Sequence, residues 1–256
     1  MSMGNVDVAA GDGIMTVTLR RPEKKNAITA EMYERLSAAF ESAESNPDVK
    51  TVLIDADGDT FCAGNDLADF ATAAQGTDEL PAARFIRVLT KSAKPVIAAV
   101  QGNAVGIGTT MLLHCDLVYI AHHARLAAPF ARLGIVPEAA SSLLLPARIG
   151  HARAFAMFAL GDTLDAAAAV ACGLATAALP MDEVRDTARN AAKKLSQGPH
   201  GAFRQTKLLM REIEPLPIRM ERELSIIEER VRSANAQEAV AAFGERRQPV
   251  FVDDHH

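Results

Sequence analysis

Three glycines carry the strongest chemical signal in this chain. Gly102, Gly106 and Gly108 follow the apolar run Pro95–Val100 within KPVIAAVQGNAVGIGTTMLLHCD, residues 94–116. The apolar run reads as a strand covered on both faces. Glycines let the backbone turn sharply and approach a ligand closely. The small-residue helix expected after them would present free N–H groups and its positive dipole end to whatever sits in the turn. Such a turn can hold a developing negative charge. No Lys-Ser/Thr follows the glycines, and their spacing is not the dinucleotide fingerprint. A tight strand–helix joint with no chemistry fits the same residues.

Three further segments share this logic. FCAGNDL, residues 61–67, gives a second glycine-centred turn with a free N–H just past Gly64. RPEKKNAIT, residues 21–29, sets basic residues after a strand, where they suit a phosphate-bearing ligand. APFARLGIVPEAASS, residues 128–142, places one carboxylate, Glu138, inside an apolar stretch. A buried acid is costly without a role. Glu138 could instead be an N-terminal acid meeting free amides of a helix near Ser141–Ser142.

Other chemistries find no support. Seven histidines show no metal spacing, so no metal site is expected. His114, on the apolar helix after the glycines, reads as a satisfied core histidine. No Gly-x-Ser-x-Gly elbow and no paired carboxylates for glycoside work are present. Ser141–Ser142 read as a helix cap. Cys62, Cys115 and Cys172 have no Cys-x-x-Cys spacing and read as reduced thiols, Cys62 as a small buried filler.

The elements that must position these groups follow from periodicity. Val6–Arg20 reads as a hairpin turning at Gly11–Gly13. Thr29 can cap a helix whose Met32, Leu36, Phe40 and Ala43 share one face, and Asn46–Pro47 stops it. A strand is expected over Thr51–Ala56, a mobile polar loop over Ala71–Leu80, a helix over Ala83–Lys91 and a strand over Asp116–Ala121. From Ser141 the pattern is almost wholly helical. Helices are expected over Asp165–Cys172, Asp182–Leu195, Ala202–Ile213 and Ile218–Ala234, the last with a buried stripe of Met220, Leu224, Ile227 and Val231. Strand–helix alternation in the first half makes the class α/β.

The 256 residues suffice for one full core. Charged residues at 23%, hydrophobic residues at 49% and a net charge of −5 fit a soluble globular protein. No basic stripe points to nucleic acid, no run is long enough to span a membrane, and no signal peptide is visible at the first residues. A cytoplasmic location is the expectation.

Taken in order, RPEKKNAI, FCAGND, KPVIAAVQGNAVGIG…CD and PFARLGIVPE resemble the motifs of the crotonase, or enoyl-CoA hydratase/isomerase, superfamily. Gly161–Leu174 also resembles it, and the likeness runs from Ile14 to Phe251. The resemblance implies a spiral of ββα units with a helical C-terminal trimerisation region. Residues 1–195 would be the core with the CoA and oxyanion site, and residues 196–256 would serve oligomerisation. It implies an acyl-CoA thioester as substrate, with coenzyme A as part of the substrate and no separate cofactor, and a homotrimer or dimer of trimers.

The same resemblance assigns residues one by one. The N–H groups of Asn65 and Ile107 would form the oxyanion hole, with Gly64 and Gly106 shaping it. The two glutamates of the family's hydratases fall at Thr110 and Phe130, so both are absent. Glu138 matches the single base of the peroxisomal-type Δ3,Δ2-enoyl-CoA isomerase branch. Lys24 and Lys25 would meet CoA phosphates, Ala63, Asp66 and Leu67 would line the CoA site, and Arg246 would reach the CoA of a neighbouring subunit. The activity implied is a shift of the double bond from position 3 to position 2. Hydration, another acyl-CoA reaction on the same scaffold, or a non-catalytic binding role are the alternatives.

Overall fold

The computed structural model describes residues 5–69, 80–211 and 215–252. Among them the strands are β1 (Val6–Gly11), β2 (Ile14–Leu19), β3 (Thr51–Ala56), β4 (Thr60–Cys62), β5 (Val96–Val100), β6 (Asn103–Val105), β7 (Leu117–Ala121), β8 (Arg125–Ala127), β9 (Thr163–Asp165) and β10 (Ala177–Leu179). They form two sheets, β1-β2-β3-β5-β7-β10 and β4-β6-β8-β9. Only β1–β2 and β8–β9 pair antiparallel; the other pairs are parallel.

Consecutive strands go to different sheets. β3, β5 and β7 enter the large sheet, and each is followed by a short partner, β4, β6 or β8, in the small one. Helices Pro81–Lys91, Ile107–Thr110 and Ser141–Ile149 come after these pairs. The chain therefore climbs as a spiral of ββα units. Every residue of β3 and β5 is buried, as expected of parallel strands covered on both faces. Gly102 makes the β5–β6 crossover possible: a Cβ there would lie 1.8 Å from the carbonyl oxygen of Asp59.

The helix Ala30–Ser45 begins as the sequence indicates, with the Thr29 side chain accepting from Met32 N. Met32, Leu36, Phe40 and Ala43 are all buried. The stripe Met220, Leu224, Ile227 and Val231 is buried as well. The C-terminal region is less uniformly helical than its periodicity implies, because β9 and β10 lie within it. Three-residue strands carry too little alternation to be read, and here they form by adding to sheets that already exist. The long helix expected over Ile218–Ala234 stops at Arg230, and a second helix, Ala234–Gly244, starts with Ser233 as its side-chain cap. Ser141 and Ser142 do not cap their helix but open it, behind Ala140. Apart from Leu80, the loop expected over Ala71–Leu80 lies outside the described residues. No described helix is long and apolar enough to cross a membrane.

Candidate active site

The two glycine turns meet at the top of the small sheet, where β4 and β6 pair in parallel. Gly64 and Gly106 both take positive φ, 97° and 56°, which favours glycine at each. A Cβ on Gly106 would lie 3.8 Å from the Gly64 Cα, and one on Gly108 would lie 2.7 Å from the Cys62 carbonyl oxygen. At Gly108 the close approach of the turns depends on the missing side chain, while at Gly106 the positive φ is what favours glycine.

Each turn leaves one amide unspent. Ile28 donates to Gly64 O at 2.8 Å and accepts from Asp66 N at 2.8 Å. In that parallel bridge the Asn65 N–H belongs to the opposite edge, and it has no acceptor among the described residues. Ile107 opens the helix Ile107–Thr110 behind Gly106, whose carbonyl accepts from Thr109 and Thr110. The Ile107 N–H, in the first turn, has no intrahelical partner.

The loop of residues 21–28 is knotted from inside. Buried Asn26 donates to Asp57 O at 2.8 Å and Thr60 O at 2.7 Å, and accepts from Arg21 N at 2.8 Å. The Arg21 guanidinium meets Asp66 at 2.7 Å, tying this loop to the Gly64 turn. Arg21 and Asp66 are thus committed to each other. Lys24 and Lys25 remain exposed on the loop, and the Lys25 carbonyl accepts from Ala63 N at 3.0 Å.

Glu138 is only 5% exposed, and its Oε1 has no hydrogen-bond partner among the described residues. Burial, and secondarily the nearby Glu223 carboxylate, pushes it up to about 8. Glu138 lines a pocket together with Asn65, Tyr33, Asp66, Ile135 and Ile227, among others. The pocket encloses about 460 Å³ of empty space, its mouth included. The Tyr33 hydroxyl donates to Asn65 Oδ1. Burial raises the Tyr33 phenol well above its ordinary range, and Glu138 and Cys62 raise it further, so it remains a neutral donor.

The structure therefore brings Glu138 and Asn65 into one pocket, with Asp66 beside them. Gly64, Gly106 and Ile107 form the adjoining turns. Thr110 is fully buried with an unpartnered Oγ1 and does not line the pocket. Phe130 backs the pocket rather than lining it: it joins an apolar cluster with Leu80, Ile135 and Ile227 and lies 6.0 Å from Phe158, ring to ring. Ala63 and Leu67 are half-buried on the Gly64 turn. Arg246 is exposed beyond the last helix, at a φ of 55°. His114 is the buried, satisfied histidine expected of it, with Nε2 2.7 Å from Ala139 O. No described cluster of three or more His, Cys, Asp or Glu could hold a metal.

The amide of Ser142, which Glu138 might have met, is taken by another carboxylate. Ser142 N donates to Glu223 Oε1 at 2.9 Å. Sequence reasoning missed both Glu223 and Tyr33. The signal for Glu223 was available: it lies three residues after Met220 and four before Ile227, inside the apolar stripe. Tyr33 similarly stands a helical turn from Leu36 and Ser37, its hydroxyl at the end of a buried ring.

The description "Enoyl-CoA hydratase/isomerase" belongs to the family model that matches residues 9–254. A relative named enoyl-CoA delta isomerase 2, from Rattus norvegicus, is 34% identical over 94% of this chain and 63% of its own length. Another, named probable enoyl-CoA hydratase, from Rhodobacter capsulatus, is 31% identical over 98% of this chain and 99% of its own. The crystal structure of an enoyl-CoA hydratase/isomerase from Pseudoalteromonas atlantica superposes with a TM-score of 0.91, at 38% identity, covering 97% of this chain and all of the other.

Proposed function

The chain belongs to the enoyl-CoA hydratase/isomerase family, whose members act on CoA thioesters, and within it we propose that this protein shifts the double bond of a 3-enoyl-CoA to position 2. Glu138 removes a proton from C2. The Asn65 and Ile107 amides hold the oxygen of the dienolate that forms, the role of an oxyanion hole. Protonated Glu138 then returns the proton at C4. One base serves if it reaches both carbons, and no separate cofactor is needed.

The observation that carries this reading is a buried, unpartnered carboxylate that shares a pocket with Asn65. Hydration would need a second group to deliver water, and Thr110 and Phe130 occupy the positions where hydratases of the family keep glutamates. Apolar walls at Leu80, Ile135 and Ile227 oppose water. A carboxyl near pH 8 also suits proton shuttling at neutral pH, since it gives and takes a proton with little cost. The test is turnover of 3-hexenoyl-CoA by the purified protein, followed by absorbance of the conjugated product. A rising signal whose rate increases with pH toward about 8 is expected. No product at enzyme concentrations near those of substrate would contradict the reading.

Tyr33 holds the side chain of Asn65. Tyr33→Phe should lower kcat by about tenfold, the worth of one well-placed hydrogen bond, with KM little changed. A KM effect alone would make Tyr33 a wall residue and nothing more.

The assembly proposed is a homotrimer or a dimer of trimers, with Arg246 acting on the CoA of a neighbour. Leu209, Met210, Ile218 and Phe243 expose most of their surface on the C-terminal helices, an apolar display that fits burial against other copies. Sedimentation at micromolar concentration should give three or six chains. A monomer would refute it.

A further inference from the structure

Glu223 is a carboxylate that the proton transfer above does not use. It projects from the helix Pro215–Arg230, is 4% exposed, and reaches across to the segment that carries the base. We propose that Glu223 is a positioning residue for Glu138: from a separate helix it pins the turn bearing the base and holds a second carboxylate behind it. This rests on the reading of Glu138 as the base.

The turn needs pinning. Ala139 and Ala140 take φ of 59° and 53°, left-handed values that strain an L-residue with a Cβ. Such conformations persist only where the surroundings enforce them, and they gather at functional sites. Besides the backbone bonds of the turn itself, side chains from two other elements hold them here. On one side the His114 ring bonds to Ala139 O. Burial holds this histidine down at about 4, so it is neutral and its Nε2–H is the donor. On the other side Glu223 takes the Ser142 amide. The helix Ser141–Ile149 has no side-chain cap of its own, so Glu223 supplies the missing acceptor at its N-terminus, where negative charge is favoured.

The second consequence is electrostatic. Glu223 is itself pushed up to about 7 by burial, against the pull of Ser142, the Ala140 amide and Arg219. It is one cause of the raised proton affinity of Glu138. Tyr33 and Cys62, both neutral, face Glu138 from other elements, and Asp66, paired with Arg21, and Asp69, which accepts from Ala30 N, line the same pocket. A charged Glu223 therefore makes ionised Glu138 a stronger base. Two such carboxylates titrate as a pair.

The test is a set of pH profiles for 3-hexenoyl-CoA turnover, with infrared titration of the buried carboxyl bands in the unliganded protein. Glu223→Gln should move the rising limb of kcat, and the Glu138 band, down by about one pH unit. Glu223→Ala should in addition lower kcat by about tenfold or more, with KM little changed, while Glu223→Asp restores the wild-type limb. By reciprocity, Glu138→Gln should lower the midpoint of the Glu223 band, and this arm holds even if the Glu223 variants do not fold. Bands that move without any turnover in wild type would keep the pair and overturn the reaction. Turnover with an unmoved limb and unmoved bands would overturn the role of Glu223 and leave the reaction standing.

Discussion

Glu138→Gln is expected to lose roughly two to four orders of magnitude in turnover, the usual worth of a positioned general base, while becoming more stable than wild type at pH 8. The two effects share one cause. Burial raises the folded carboxyl to about 8 from an ordinary value of 4.5. Below pH 4.5 the group is protonated in both folded and unfolded chains and contributes nothing. Between 4.5 and 8 the unfolded chain gives up the proton and the folded chain keeps it, so wild-type stability falls as pH rises. Above about 8 the penalty is complete. Glutamine carries none of it. The gap in Tm should open across that window and reach several degrees, since about 1 kcal/mol moves a domain of this size by roughly 2–4 °C. CoA-ester affinity should change little. Equal melting at pH 5 and a higher Tm for the variant at pH 8 are the outcomes to look for. A variant that melts lower than wild type at pH 8 would mean that Glu138 is held by contacts that the buried, unpartnered Oε1 does not make.

Gly108→Val is the second large effect. A Cβ at this position would sit 2.7 Å from the Cys62 carbonyl oxygen and 2.8 Å from the Cys62 Cβ. Neither atom is the free end of a side chain, so the Gly64 and Gly106 turns must move apart. The Asn65 and Ile107 amides then lose their common focus. Loss of one oxyanion donor costs about a hundredfold to a thousandfold, and turnover should fall at least that far while circular dichroism shows a folded chain. If acyl-CoA affinity and rate both survive, the thioester oxygen is bound elsewhere.

Much of this arrangement was legible in the residues. β5 is an unbroken apolar run, and β3 a mostly apolar one, because both are buried on both faces. The glycines at 64, 102 and 108 stand where a Cβ would crowd the backbone, and the one at 106 where φ is positive, so their identity reports geometry directly. Glu138 is conspicuous because its neighbours in sequence are apolar. The short strands β4, β6, β8, β9 and β10 were not legible: three residues hold no periodicity, and each is created by its sheet partner. Phe130 was legible as apolar, but its position behind the pocket wall depends on Phe158 and on a helix about a hundred residues away. The Ser142 cap was out of reach for the same reason. Ser141 and Ser142 look like caps by type, yet the acceptor comes from Glu223, 81 residues further along the chain. Tyr33 and Asn65 belong to segments whose meeting is fixed by the fold alone.

The central claim is that one buried carboxylate, Glu138, moves protons between carbons and does not add water. Its most direct measurement compares two wild-type rates in one preparation: isomerisation of 3-hexenoyl-CoA and hydration of crotonyl-CoA. Isomerisation faster than hydration by a wide margin, with Glu138→Gln losing the isomerisation, is the predicted result. Hydration outpacing isomerisation in the wild type, or a Glu138→Gln protein that isomerises at the full rate, would contradict it.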